Sequence, residues 1–233
     1  LNWTRISLNA DLLNRPHFFR LAQFDAAFSY DWRATRYASN TFTPLKLTYT
    51  KLLDTTSEFD SIMDANPAIA QSFRSQFIPQ VMYSYTYDRA YGKNNTLNWQ
   101  FTLQEAGNVC WAMWSLLGKD GEKKLFNTPF SQFVKGSTQL VYSRRLGGSH
   151  WLVTRAAVGA AHAYGNSSQV PYSEQFYVGG ANSIRAFTVR SIGPGSYRED
   201  DTDGYFDQTG TFKVELNMEY RFPIYGPLKG AMF

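Results

Sequence analysis

The stretch from Thr211 to Phe222, TFKVELNMEYRF, alternates without a break. Phe212, Val214, Leu216, Met218, Tyr220 and Phe222 fall on one side, and Thr211, Lys213, Glu215, Asn217, Glu219 and Arg221 on the other. Period-two alternation of this kind marks a β-strand with one apolar and one polar face. A slip of one residue would carry Lys213, Glu215, Glu219 and Arg221 into the apolar layer, so the register is strongly specified. Two architectures suit such a strand. In a membrane barrel the apolar set faces lipid and the polar set a lumen, whereas in a soluble sheet the polar set faces water. This strand alone leaves both open.

Composition narrows the choice. The chain has 233 residues, 43% of them hydrophobic and 17% aromatic, yet its mean hydropathy is −0.38. Apolar residues are therefore diluted evenly, as in strands with one greasy face, and no shift in composition marks a linker between domains. The longest nearly apolar stretch, Val109 to Leu117, falls far short of the roughly 20 residues that a membrane-spanning helix needs. A helical membrane protein is excluded, but a barrel strand needs only about 10 alternating residues. The start, LNWTRISLNA, has neither the charged region nor the apolar core of a signal peptide, so the chain is expected to begin after a leader or inside a longer protein. The single Cys110 rules out an internal disulfide and a multi-cysteine metal site. The net charge of +4 is scattered among Tyr and Phe with no block of like charge, and no nucleic-acid partner is expected.

Upstream of the opening stretch, the same alternation recurs from Thr4 to Asp11, Phe18 to Tyr30, Phe42 to Lys51, Phe77 to Asp88, Leu97 to Leu103, Phe133 to Arg144 and Trp151 to Ala163. In the second of these, Phe18, Ala22, Phe24, Ala26, Phe28 and Tyr30 form the apolar face, with Arg20 as the exception. Between Leu52 and Gln76 the period is lost, and Asp64-Ala65-Asn66-Pro67 ahead of AIAQSFRSQ predicts a short loop helix with an Asn cap and Pro at its first position. Asn108 to Gly118 fits a strand or a helical stripe of Val109, Ala112 and Leu116.

Loop lengths decide that segment. Read as a loop helix, it makes the connections from residue 32 onward alternate between short (residues 32–40, 90–94, 146–149 and 223–227) and long (53–76, 108–131 and 164–210). Outer-membrane barrels combine tight periplasmic turns with long external loops, and a soluble sandwich has no reason to. Trp3, Tyr30, Trp32, Tyr49, Tyr142, Trp151 and Tyr220 near strand ends fit an interfacial aromatic girdle, or ordinary enrichment of aromatics in strands.

Motifs for catalysis are scarce. His17, His150 and His162 lie in separate segments without a carboxylate at metal-ligand spacing, and neither H-E-x-x-H nor G-x-S-x-G occurs. His162 is expected to be a packed or lumen-facing polar residue. The run Glu199-Asp200-Asp201-Thr202-Asp203-Gly204 is acidic enough to attract a cation but lacks the spaced Glu of an EF-hand, so a solvated loop is expected. No enzymatic activity, cofactor or metal is expected.

The remaining distinctive stretch is Glu174 to Tyr197, EQFYVGGANSIRAFTVRSIGPGSY, inside a loop of roughly 45 residues, a length usually reserved for functional or disordered segments. Its many apolar residues argue for a partner surface over disorder. Gly179-Gly180 lacks the strand-to-helix context of a phosphate loop. Together with Ser183-Ile184-Arg185-Ala186-Phe187, and with Glu219-Tyr220-Arg221-Phe222-Pro223 on the following strand, it resembles the outer-membrane protein assembly-factor superfamily represented by BamA and TamA. The resemblance is closest from Gln175 onward, and Ala186 stands where the family usually has Gly.

That resemblance implies an all-β, transmembrane antiparallel barrel of about sixteen strands, whose long loop folds back into the lumen. There the loop Arg contacts acidic residues of the inner wall, here Arg185 with Glu219 and its neighbour Glu215. In a narrow lumen a guanidinium can grip a carboxylate bidentately. Residues 1–233 are then expected to form a partial C-terminal barrel domain of about nine strands, with no periplasmic POTRA modules and with both seam strands outside the sequence. The implied function is an insertase or translocase in the bacterial outer membrane. Its partners would be the lipid bilayer, unfolded outer-membrane clients and periplasmic or lipoprotein accessory subunits. The alternatives are a porin-like passive channel and a soluble β-sandwich binding module.

Overall fold

The computed structural model of the chain describes residues 2–16, 18–65, 67–116, 124–125, 128–193, 195 and 208–233. The elements run β1 (Asn2–Arg15), β2 (Phe19–Arg33), β3 (Ala38–Thr55), α1 (Ser57–Ala65), α2 (Pro67–Ser72), β4 (Gln76–Tyr91), β5 (Asn95–Ala106) and α3 (Asn108–Leu116). After them come β6 (Lys124–Leu125), β7 (Thr128–Pro129), β8 (Phe133–Gly147), β9 (His150–Ala163), β10 (Phe212–Tyr225) and β11 (Leu228–Met232). Nine strands form one sheet in the order β1-β2-β3-β4-β5-β8-β9-β10-β11, and β6 pairs with β7 beside it. Each strand pairs antiparallel with the next, so the sheet is an up-and-down meander with β1 and β11 at its edges. The fold is a partial β-barrel.

Which face is buried settles the architecture. On β10, Phe212 and Leu216 are 67% and 76% exposed, while Glu215 on the opposite face is 4% exposed. The pattern holds on other strands: Ile6 and Leu8 of β1 are exposed, and Asp25, Thr48 and Gln80 are buried. A sheet in water would show the reverse, and among the described residues no second sheet covers the apolar face. This inside-out arrangement is that of a wall with lipid outside and a polar interior. The soluble sandwich is thereby ruled out.

Long loops gather at one end, as the parity reading from residue 32 onward predicts, and the earlier β1–β2 turn, residues 16–18, is short and lies at that same end. Of the helix start, α2 begins at Pro67, while Asn66 lies outside the described residues. The preceding helix α1 is an addition. Its first turn is capped by Thr56, whose Oγ1 accepts from the Phe59 amide at 3.3 Å, and Glu58 and Asp60 favour the positive end of the helix. The segment from Asn108 is helical, as expected.

Two expectations change, and one packed cluster is new. Phe19 and Leu21 of β2 lie on the inner face, opposite the apolar set read from the sequence. With Phe59, Phe73 and Tyr172 they form a dry cluster at the long-loop end, the Phe19 ring 4.8 Å from that of Phe73. His162 falls on the outward face with Val158 and Ala160 and is exposed, neither packed nor lumen-facing. Trp3 pairs with Asp31, and Trp151 with Arg145 and Arg221, so these two are inward-facing while Tyr30, Trp32 and Tyr142 face outward.

Candidate functional site

The loop leaves β9 at Ala163 and is tied to the inner wall from its first turns. Gln132 donates its amide to Ser167 Oγ at 3.0 Å and receives the Asn166 amide on Oε1 at 2.8 Å. Glu174, buried, accepts from Gln80 Nε2 at 2.8 Å and Lys135 Nζ at 3.1 Å, side chains of β4 and β8. Phe176 exchanges both backbone hydrogen bonds with Gly210, at 2.8 and 2.9 Å, and lays its ring on Gly159 of β9, where a Cβ would come within 2.5 Å of the ring. The absence of a side chain at Gly159 is thus what seats the loop against the inner wall.

Beyond Phe176 the motif folds on itself. Gly179 and Gly180 adopt φ of 99° and 89°, a region that side chains disfavour, and a Cβ on Gly179 would collide with the Thr188 carbonyl oxygen. The tight turn lets the Gly180 amide donate to Phe187 O at 2.9 Å, and the Gly179 amide to Ser183 Oγ at 3.1 Å. Arg190, itself at φ 64°, places its guanidinium over the rings of Tyr172 and Tyr177 at 4.6 and 4.5 Å. Two aromatic faces and a closed turn make the motif a preformed unit.

That unit docks on β10. Ser183 Oγ donates to Glu215 Oε2 at 2.7 Å, Asn217 Nδ2 donates to Ser183 O at 3.3 Å, and Arg185 Nη2 donates to Glu219 Oε2 at 2.9 Å. Glu215 is the hub: it also pairs with Arg155 of β9 and with Lys213 Nζ at 2.7 Å, and Arg155 reaches Asn217 Oδ1 at 2.9 Å and Gln139 Oε1 at 2.7 Å. Four cations, Arg155, Arg185, Lys213 and Arg221, share two carboxylates, so the site carries an excess of positive charge. Such a wall favours polar or anionic ligands.

The sequence reading brought Arg185 to Glu219, and the pair is present, but its geometry differs from the bidentate grip. Glu219 Oε1 is taken by Arg221 Nε at 2.6 Å, two residues along the same face, which leaves one oxygen for the loop. Arg185 stays partly exposed and uses the ring of Phe233, 4.5 Å away, as a second support. Ile184 is half-buried, and Ala186 and Phe187 are exposed. Between motif and wall lies a cavity of about 650 Å³ lined by Ala181, Ser183, Ile184, Arg185, Asn217 and Glu219.

Sequence reasoning missed Arg155, Lys213 and Arg221. Arg155 had a signal, being the lone charge in the otherwise small and apolar run of β9. His150 is apart from the site, its Nδ1 2.7 Å from the Tyr220 hydroxyl. His17 and the acidic run 199–204 lie outside the described residues. Among the described residues no cluster of three or more metal-binding side chains occurs.

Comparison with known proteins bears on the family. The Omp85 superfamily domain matches residues 19–233. Over 75 residues the chain is 32% identical to the outer membrane protein assembly factor BamA of Neisseria meningitidis serogroup B (strain ATCC BAA-335 / MC58). That alignment covers 32% of this chain and 9% of the relative's length.

Proposed function

Because the chain belongs to the Omp85 superfamily, a family of the bacterial outer membrane, we propose that it is the barrel portion of a factor that assembles or exports proteins there. Its clients are unfolded outer-membrane proteins, and its action is non-covalent: exposed strand edges pair with incoming strands. Accessory periplasmic or lipoprotein subunits are part of the proposal. The observation that carries it is the docking of Ser183 and Arg185 onto Glu215 and Glu219, which holds a long loop across the inner wall in one position.

The test uses the full-length protein in liposomes with an unfolded barrel client. Folding of the client should accelerate over empty liposomes, and Arg185→Ala should reduce the acceleration. A steady ion conductance without any acceleration would overturn the assembly role in favour of a passive channel.

A further inference from the structure

Helix α3, NVCWAMWSL, carries no charge, and Val109, Trp111, Met113 and Leu116 are 57%, 44%, 61% and 87% exposed. A patch of this kind on a soluble surface would mark an interaction site. The way the helix begins shows which side of the wall it occupies. Gly107, at φ 87°, turns the chain sharply out of β5, with its amide bonded to Pro79 O at 2.8 Å and no room for a Cβ beside Ser131 and Gln132. Glu105 then accepts the Asn108 amide on Oε1 at 2.7 Å. By register Glu105 lies opposite Val81 and Val134, and it shares the outward face of β5 with Leu103, which is itself exposed. Its charge also reaches the Cys110 thiol. The first turn of α3 is therefore fixed to the lipid side of the rim, at the end where the long loops emerge.

We propose that α3 lies in the external leaflet of the outer membrane as an interfacial anchor, inserting Val109, Met113 and Leu116 among lipid chains. The occupant is set by continuity: the apolar surface of the helix extends the outward face of β5, which already faces lipid. Trp residues suit this depth, with ring in the apolar zone and N–H toward the headgroups. The anchor fixes the loop between β5 and β8 at the rim, beside the segment Ser131–Gln132 that supports the base of the inward loop. The proposal rests on the outer-membrane setting and not on any assembly role.

The experiment places an environment-sensitive NBD fluorophore on Met113→Cys in full-length Cys110→Ser protein, reconstituted in phosphatidylcholine–phosphatidylglycerol vesicles. An identical probe on the exposed Ser61→Cys of α1 serves as the aqueous reference. The expected result is blue-shifted emission at position 113, quenching by lipids doxyl-labelled near the headgroup, and iodide quenching several-fold weaker than at position 61. Adding Leu116→Glu should restore iodide access while the barrel keeps its heat-modifiable mobility. Equal iodide quenching at the two positions would overturn the proposal. Shielding from iodide without doxyl quenching would also overturn it, since the helix would then be covered by protein.

Discussion

Arg185 and Glu219 form a one-armed ion pair: Nη2 of the arginine meets Oε2 of the carboxylate at 2.9 Å, while Arg221 occupies Oε1. The carboxylate thus divides its charge between the loop and its own strand. Arg185 is partly exposed, so solvent screens the pair and its share of loop docking is about 1 kcal/mol. Arg185→Ala should therefore lower the docked-to-undocked ratio roughly fivefold, read as faster proteolysis within residues 181–190. Reversing the pair, with Arg185→Glu and Glu219→Arg together, should recover part of the loss. Unchanged proteolysis in Arg185→Ala would remove this pair from the account.

Glu215 is the stronger anchor. It is 4% exposed and balances Arg155 and Lys213, which sit on the same wall. Glu215→Ala leaves two cations facing each other and a loop hydroxyl without its acceptor, and should cost on the order of 3 kcal/mol. The measurement is the urea midpoint of the folded barrel in detergent micelles, and Glu219→Ala should shift it less.

The two faces of β10 predict opposite tolerance. Leu216→Arg puts a guanidinium on the lipid face near mid-strand and should cost about 2–4 kcal/mol, whereas Asn217→Asp one residue on puts its charge in the polar interior beside Arg155, where cations are in excess, and should cost about 1 kcal/mol or less. Folding yields into vesicles read the difference. Equal costs would contradict the assignment of faces.

The Cys110 thiol, in the first turn of α3, is half-buried. Burial first, and then the charge of Glu105, push its pKa above the ordinary thiol range. Thiolate is then scarce at pH 8, so iodoacetamide should react more slowly than with free cysteine, and its rate should keep climbing after the free thiol has levelled off. Glu105→Gln removes the lesser cause and should speed the reaction by less than tenfold. A pH profile matching free cysteine would refute it.

Much of the fold was legible in the sequence because a barrel wall repeats with period two. Thr211 to Phe222 fixes its own faces, and loop parity fixes the ends. What local alternation cannot show is where a distant segment lands. Phe19 and Leu21 fall among the polar residues of β2's alternation, and only their packing with Phe59, Phe73 and Tyr172, far along the chain, makes them a dry plug. Helix α1 had a signal in Thr56 and the acids after it, but its apolar face had no visible partner. At the site, Arg185 and Glu219 were readable from the motif and from strand parity. The single-armed geometry depends on Arg221 competing for the same carboxylate, which is a matter of distances and not of pattern.

The central claim is that the motif at Gly179 to Phe187 lies inside the barrel on the inner face of β10. The most direct test pairs Ser183→Cys with Asn217→Cys in full-length Cys110→Ser protein in native membranes, using a short thiol-specific crosslinker and mass spectrometry. Asn217 Nδ2 is 3.3 Å from Ser183 O, so a 183–217 crosslink is predicted, and none when Leu216→Cys on the outward face replaces Asn217→Cys. Absence of the 183–217 link, together with labelling of Ser183→Cys by an impermeant maleimide added outside the cell, would contradict it.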